Sequence, residues 1–270
     1  MSSSAGRGAA RASDTGGLAS VGASRLLRAG LLERVSVLVA GADPASEPLS
    51  FGAAAGAACA ELGARVLCCP LLAHETAQSR AHGAHAHLEA TLERALADGA
   101  TLQLLAIDGA SLFARVARAA GEREHGQEHE HGRDALRACM EIAWEVTRAV
   151  AERAFLASGH GGRVVYLTPP PDAGEHARAA AAGLENLART LSIEWARHGV
   201  TTVAVLPAAS ATAAPGGGWE PRAARAGAGD GDEAGAAARA AVASVIAYVA
   251  SPAGAYFSGC VLDLRGPAGG

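Results

Sequence analysis

Short apolar runs bounded by turn residues, with helix-length segments between them, constrain this chain more than any other feature of its sequence. Residues 35–40 (VSVLVA), 65–69 (RVLCC), 102–107 (LQLLAI), 163–168 (RVVYLT), 200–206 (VTTVAVL) and 259–264 (GCVLDL) read as strands. Their apolar residues run on instead of alternating with polar ones, which suits strands covered on both faces. Residues 52–62 read as an Ala-rich helix stopped by Gly63, and 85–98 as an amphipathic helix with Leu88, Leu92 and Leu96 four apart. Residues 134–156, 174–198 and 236–250 continue the helical pattern. Parallel strands need crossover connections, and helices supply them. The alternation therefore specifies an α/β fold, a doubly wound parallel sheet with helices on both faces. Residues 70–83 are polar, bear His and are too short for both a helix and a strand, so a reduced or missing edge strand is expected there.

The chain has 270 residues, half of them hydrophobic, enough for one α/β core. The expected organisation is a flexible N-terminal tail over residues 1–29 and a single domain over 30–270. A low-complexity Ala/Gly/Pro loop is expected within it, over about 207–235. Net charge is −4, so no basic field exists to attract nucleic acid or anionic lipid. Cys59, Cys68, Cys69, Cys139 and Cys260 are odd in number and lie largely in apolar stretches, which reads as reduced thiols. Residues 1–24 lack the apolar segment of a signal peptide, and no apolar run approaches a membrane span in length. The expectation is a cytoplasmic protein with no nucleic-acid or membrane partner.

What is missing removes more chemistry than any motif adds. All 23 basic residues are Arg; there is no Lys, a single Asn (Asn186), and Tyr only at 166, 248 and 256. Schiff-base chemistry, phosphate-loop lysines and a lysine that lowers a neighbour's pKa are excluded by composition.

Three segments carry a resemblance. Residues 183–195 (GLENLARTLSIEW), followed by 199–207 (GVTTVAVLP), are similar to the helix and strand after the active-site Tyr of the short-chain dehydrogenase/reductase family. Residues 251–266 (SPAGAYFSGCVLDLRG) resemble that family's C-terminal strand, and residues 32–42 resemble its opening strand and glycine turn. The resemblance runs from about Gly30 to the C-terminus and implies a Rossmann-like domain.

Such enzymes bind NAD(P) at a glycine-rich turn where backbone amides and a helix N-terminus meet the pyrophosphate. Matched to that turn, Gly41 holds the first position, Ser50 the middle and Gly52 the last. About five residues, including Pro44 and Pro48, are inserted, giving a vestigial turn. Pro70 stands where the family selects NAD or NADP, and Asp108 falls in the turn that ordinarily holds paired Asn residues. No cofactor is expected, NAD(P) binding being lost. The catalytic positions depart further: Cys139 stands at the Asn position, Pro169 at the Ser, Ala177 at the Tyr and Ala181 at the Lys. No register rescues the site, because a Tyr-x-x-x-Lys pair cannot exist without Lys. A phenol without a cationic neighbour is a poor base at neutral pH.

Two His-rich tracts, His74, His82, His85 and His87, then His125, His129 and His131, invite a metal hypothesis, but without Cys partners they read as solvated loops and no metal is expected. Residues 122–130 read as an exposed insertion. Glu175 and His176 beside Ala177 form a conceivable acid/base pair, although a solvated helix start accounts for them.

Met140 and Trp144 on one long helix, and Leu184, Leu187, Leu191 and Trp195 on the next, form apolar stripes; the resemblance implies that these two helices make the family's main subunit interface. The preferred expectation is a non-catalytic subunit that assembles with a homologous active dehydrogenase/reductase, as heterodimer or heterotetramer, or with itself. The alternatives are an oxidoreductase or altered-chemistry enzyme using other groups, and a ligand-binding or sensor module.

Overall fold

The computed structural model describes residues 26–45, 47, 49–71, 77–121, 128–208 and 230–265. Its strands are β1 (Ser36–Ala40), β2 (Arg65–Cys69), β3 (Leu104–Asp108), β4 (Gly162–Leu167), β5 (Val200–Leu206) and β6 (Cys260–Asp263). They form one sheet in the order β2-β1-β3-β4-β5-β6, every pair parallel. The helices are α1 (Phe51–Glu61), α2 (Ala77–Ala95), α3 (Gly109–Gly121), α4 (Glu128–Val150), α5 (Glu175–Glu194) and α6 (Asp230–Ala250).

The sheet is apolar on both sides, as the unbroken hydrophobic runs require. Val37, Val39, Leu104, Ala106, Val165 and Val203 face α1 and α6, while Leu38, Leu105, Ile107, Val164 and Tyr166 face α2 to α5. Adjacent residues thus enter opposite cores, the signature of a doubly wound sheet. From β1 the chain steps out to β2, then crosses back to β3 on the other side of β1. That reversal opens a crevice beyond the carboxyl ends of β1 and β3, the topological switch point where such sheets bind ligands.

Two polar side chains inside the core are paired. The Tyr166 hydroxyl lies 2.9 Å from Thr147 Oγ1, which donates to the Ala143 carbonyl at 2.7 Å. Arg163 Nη1 donates to the Ala250 carbonyl at 2.7 Å, placing a cation on the C-terminal end of α6.

Several bounds differ from those read in the sequence. Helix α3 was not anticipated. Helix α2 begins at Ala77, eight residues before the expected start, so it takes up half of the 70–83 segment; among the described residues no strand lies beyond β2. Helix α4 begins at Glu128, so the end of the supposed insertion is helical; residues 122–127 lie outside the described residues. It ends in a π-helical turn over Ala151–Leu156 that lays Phe155 on Gly162, where an added Cβ would collide with the ring. Residues 1–25 of the expected tail and 209–229 of the expected loop also lie outside the described residues.

The reading that no apolar run approaches a membrane span is amended by Glu233–Ala250 in α6, long and apolar enough by length and composition. In the fold its Val242, Ile246 and Val249 are buried against the sheet and α1.

Candidate functional site

Two regions at the carboxyl end of the sheet bear on function: the crevice between β1 and β3, and a cleft beyond β4 and β5. At the first, the turn after β1 leads into α1. Gly41 has φ +88°, a conformation glycine adopts without strain, and a Cβ there would press on Leu112 of α3 at 3.0 Å. Ser50 caps α1, its Oγ accepting from Ala53 N at 3.1 Å, and Gly52 N donates to Asp108 Oδ2 at 2.8 Å. The second and third amides of the helix, donors that a helix N-terminus offers to an anion, are therefore engaged by the chain itself.

Asp108 lies at the end of β3 and is fully buried. Besides Gly52, it accepts from Ser111 N at 3.0 Å through Oδ1 and from Ser111 Oγ at 2.9 Å through Oδ2. It caps α3 and serves the start of α1 with one carboxyl group, at a point where two helix N-termini favour negative charge. Burial pushes its pKa up, while the amides of Ser111 and Gly52, the Ser111 hydroxyl and Arg115 pull it down. Gly52 is a glycine for this reason: a Cβ would stand 2.7 Å from Asp108 Oδ2.

Helix α3 also reaches over the turn. Arg115 Nη2 donates to the Gly41 carbonyl at 2.7 Å, and its Nη1 lies 3.6 Å from Glu47 Oε2. Arg118 Nη2 lies 2.6 Å from Glu47 Oε1. The inserted residues of the turn thus lay an acid against two guanidinium groups on the flank of the crevice.

In the cleft, Thr168, Pro169, Ala181 and Leu206 line a cavity of about 120 Å³ with Arg178, Glu185 and Arg265 at its edge. Pro169 and Ala181, apart in sequence, line this same cavity, and Ala177 is buried one turn earlier on α5. Cys139 lies apart, its Sγ 3.5 Å from the Gly109 carbonyl; burial first, then Asp108, push its pKa up to about 12, so it stays a thiol. The Thr168 hydroxyl, wholly buried, has no hydrogen-bond partner among the described residues. Tyr166 is no replacement base, since it sits in the core and burial pushes its pKa up. Arg265 is paired with Asp263 at 2.5 Å, which lowers the Asp263 pKa to about 2.

Of the remaining candidates, Glu175 and His176 do lie at the start of α5, with His176 Nδ1 3.8 Å from Glu175 Oε1. His176 packs on α4 at Gly132, where a Cβ would come within 2.5 Å of the ring. His74 and His125 lie outside the described residues. Among those described, no group of three or more His, Cys, Asp or Glu is placed to hold a metal.

The proposed interface stripe divides. Leu184 and Leu191 are core residues, closed to any partner, because that face of α5 turns inward on the sheet. Met140, Leu187 and Trp195 are half-buried against the same core. Trp144 is 39% exposed, and Ile193, which the stripe did not include, is 79% exposed.

Asp108, Ser111, Arg115 and Glu47 were not recognised as a unit from the sequence. Its one local signal was an Asp followed by Ser three residues on, a helix-cap spacing at the end of a buried strand.

No family model and no curated protein matches the chain. Solved dehydrogenases share its fold. It is similar to a citronellol catabolism dehydrogenase (AtuB) of Pseudomonas aeruginosa PAO1, with TM-score 0.58 and 22% identity over 88% of this chain and 96% of that one. Carveol dehydrogenase from Mycobacterium avium, solved in complex with NAD, gives TM-score 0.58 and 14% identity over 87% and 97%. A putative oxidoreductase of Escherichia coli K-12 gives 0.54 and 14% over 86% and 95%. At these identities the likeness is one of fold: a Rossmann-like six-stranded parallel sheet flanked by helices.

Proposed function

We propose that this chain is a non-catalytic relative of the short-chain dehydrogenases/reductases that assembles with an active homologous subunit and supports its structure. One observation carries the reading. At the carboxyl end of a dehydrogenase-like sheet, the positions that resemblance assigns to the acid/base and its helpers hold Ala177, Ala181, Pro169 and Cys139, and the sequence contains no lysine. Hydride transfer to a carbonyl needs a proton delivered at the oxygen. Ala, Pro and a thiol held protonated well above neutrality deliver none.

The partner surface would lie on α4 and α5, where Trp144 and Ile193 remain exposed. Co-expression with active paralogues from the same genome, followed by size-exclusion chromatography and NAD(P)H-linked assay, tests the reading. The expected result is a mixed oligomer whose partner loses activity or stability when this chain carries Trp144→Glu or Ile193→Glu. Carbonyl reduction by the purified chain alone, or self-association with no effect on any partner, overturns it.

A second reading has its own support. The cavity that Thr168 helps to line is large enough for a few waters or a small polar molecule, which favours ligand binding without turnover. Thermal-shift screening against small metabolites separates it from the first, because a ligand of the folded state raises the melting temperature whether or not a partner is present.

A further inference from the structure

We propose that the crevice at the switch point is closed by the chain's own carboxylates, Asp108 at the start of α1 and Glu47 between Arg115 and Arg118. The folded chain then takes no nicotinamide dinucleotide, and releasing Glu47 uncovers a site for a small polyanion such as pyrophosphate.

The closure follows from an account of donors. A helix start binds phosphate through amides left without intrahelical partners. In α1 the Gly52 amide is spent on Asp108 and the Ala53 amide on Ser50. A glycine at this place elsewhere lets phosphate approach the backbone. Here the space in front of Gly52 is filled by the Asp108 carboxyl, close enough that even a methyl group would collide with it. Asp108 cannot swing aside without abandoning the Ser111 amide and hydroxyl that it caps. A pyrophosphate arriving at α1 thus meets an acid in its place and no unpaired amide at the second or third position.

The latent site follows from what Glu47 holds. Arg115 and Arg118 are one turn apart on α3 and converge on a single carboxylate, Arg118 Nη2 hydrogen-bonded to Glu47 Oε1 at 2.6 Å and Arg115 Nη1 in ion-pair range of Oε2 at 3.6 Å. Guanidinium groups that fit a carboxylate in this way also fit phosphate oxygens. Arg115 is further anchored on the Gly41 carbonyl, so it stays over the turn when Glu47 is neutralised. The inserted turn therefore supplies an internal anion to a pair of arginines that would otherwise face solvent at the crevice.

The test uses the full chain and two variants, and reads binding directly. Wild type is titrated with NADH and NADPH by fluorescence and with inorganic pyrophosphate by calorimetry and melting. No signal is expected up to about 1 mM. Glu47→Gln, folded by circular dichroism, is expected to gain a pyrophosphate-dependent rise in melting temperature of about 3 °C at several times Kd. Adding Arg118→Ala should abolish that rise. Wild-type binding of either dinucleotide in that range overturns the closure, and a folded Glu47→Gln that ignores pyrophosphate overturns the latent site. The cofactor part rests on the reading that this is a degenerate dehydrogenase. Subunit assembly is scored separately on Trp144 and Ile193, so either idea can fail alone.

Discussion

The two regions at the carboxyl end of the sheet carry their polar groups in opposite ways. At the β1–β3 crevice, Asp108, Ser50 and Ser111 are bonded to backbone amides or to one another, Arg115 bonds the Gly41 carbonyl and Arg118 bonds Glu47, although Glu47 Oε2 and Arg115 Nε are buried without a hydrogen bond. In the β4–β5 cleft, apolar side chains stand at the expected catalytic positions, and the Thr168 hydroxyl is left buried without a partner. The first arrangement contributes to the stability of the fold. The second costs it something, because a buried hydroxyl without a hydrogen bond forfeits its hydration. The two regions should therefore respond to mutation with opposite signs.

The largest effect is expected at Asp108. Asp108→Ala strands the Gly52 and Ser111 amides and uncaps α3, and should lower unfolding free energy by about 3–5 kcal/mol in urea titrations. A loss under about 1 kcal/mol would mean that the crevice network is ornamental and the contrast false. Next comes Ala177→Tyr with Ala181→Lys, which restores a phenol and an amine to the cleft. Because Ala177 is wholly buried, the pair should overpack α5 by about 1–3 kcal/mol. NADPH consumption with carbonyl substrates should stay at background, since the cofactor crevice is untouched; turnover would break the comparison outright.

Thr168→Val sharpens it from the other side. Removing a hydroxyl that bonds to nothing should leave stability unchanged or raise it by about 0.5–1 kcal/mol. Marked destabilisation would show that the hydroxyl is held by an ordered water or ligand. The smallest effect concerns Asp263 at the rim of the cleft. Its folded pKa is lowered to about 2 by Arg265, so its stabilisation is present above the ordinary Asp value and is lost as pH falls from about 4 toward 2. The pair is largely solvated and worth well under about 1 kcal/mol. Asp263→Asn should flatten that part of the acid limb of a melting-temperature profile by a degree or two.

How much of this could be read in the sequence depended on range. The strands were legible because a parallel sheet covered on both sides demands continuous apolar runs, and 35–40 or 200–206 can scarcely be anything else. Helix α3 was not legible: residues 104–116 run from strand to helix with only Asp108, Ser111 and Arg115 polar, and the residue that marks the boundary, Asp108, read as a departure from an Asn-bearing turn. Its partner Gly52 lies 56 residues away, and Glu47 lies 71 from Arg118, separations at which no periodicity survives. The stripe containing Leu184 and Leu191 shows a different limit. Helical spacing identifies an apolar face but not whether it turns toward the chain's own sheet or toward a neighbour, and only burial told Leu184 from Trp144.

One feature governs how such a molecule could change further. Because one carboxylate both meets the start of α1 and caps α3, any substitution that clears the space before Gly52 also loosens the framework around it. Opening that space would therefore pass first through a poorly folded intermediate, which acts as a ratchet on further change at this end of the sheet.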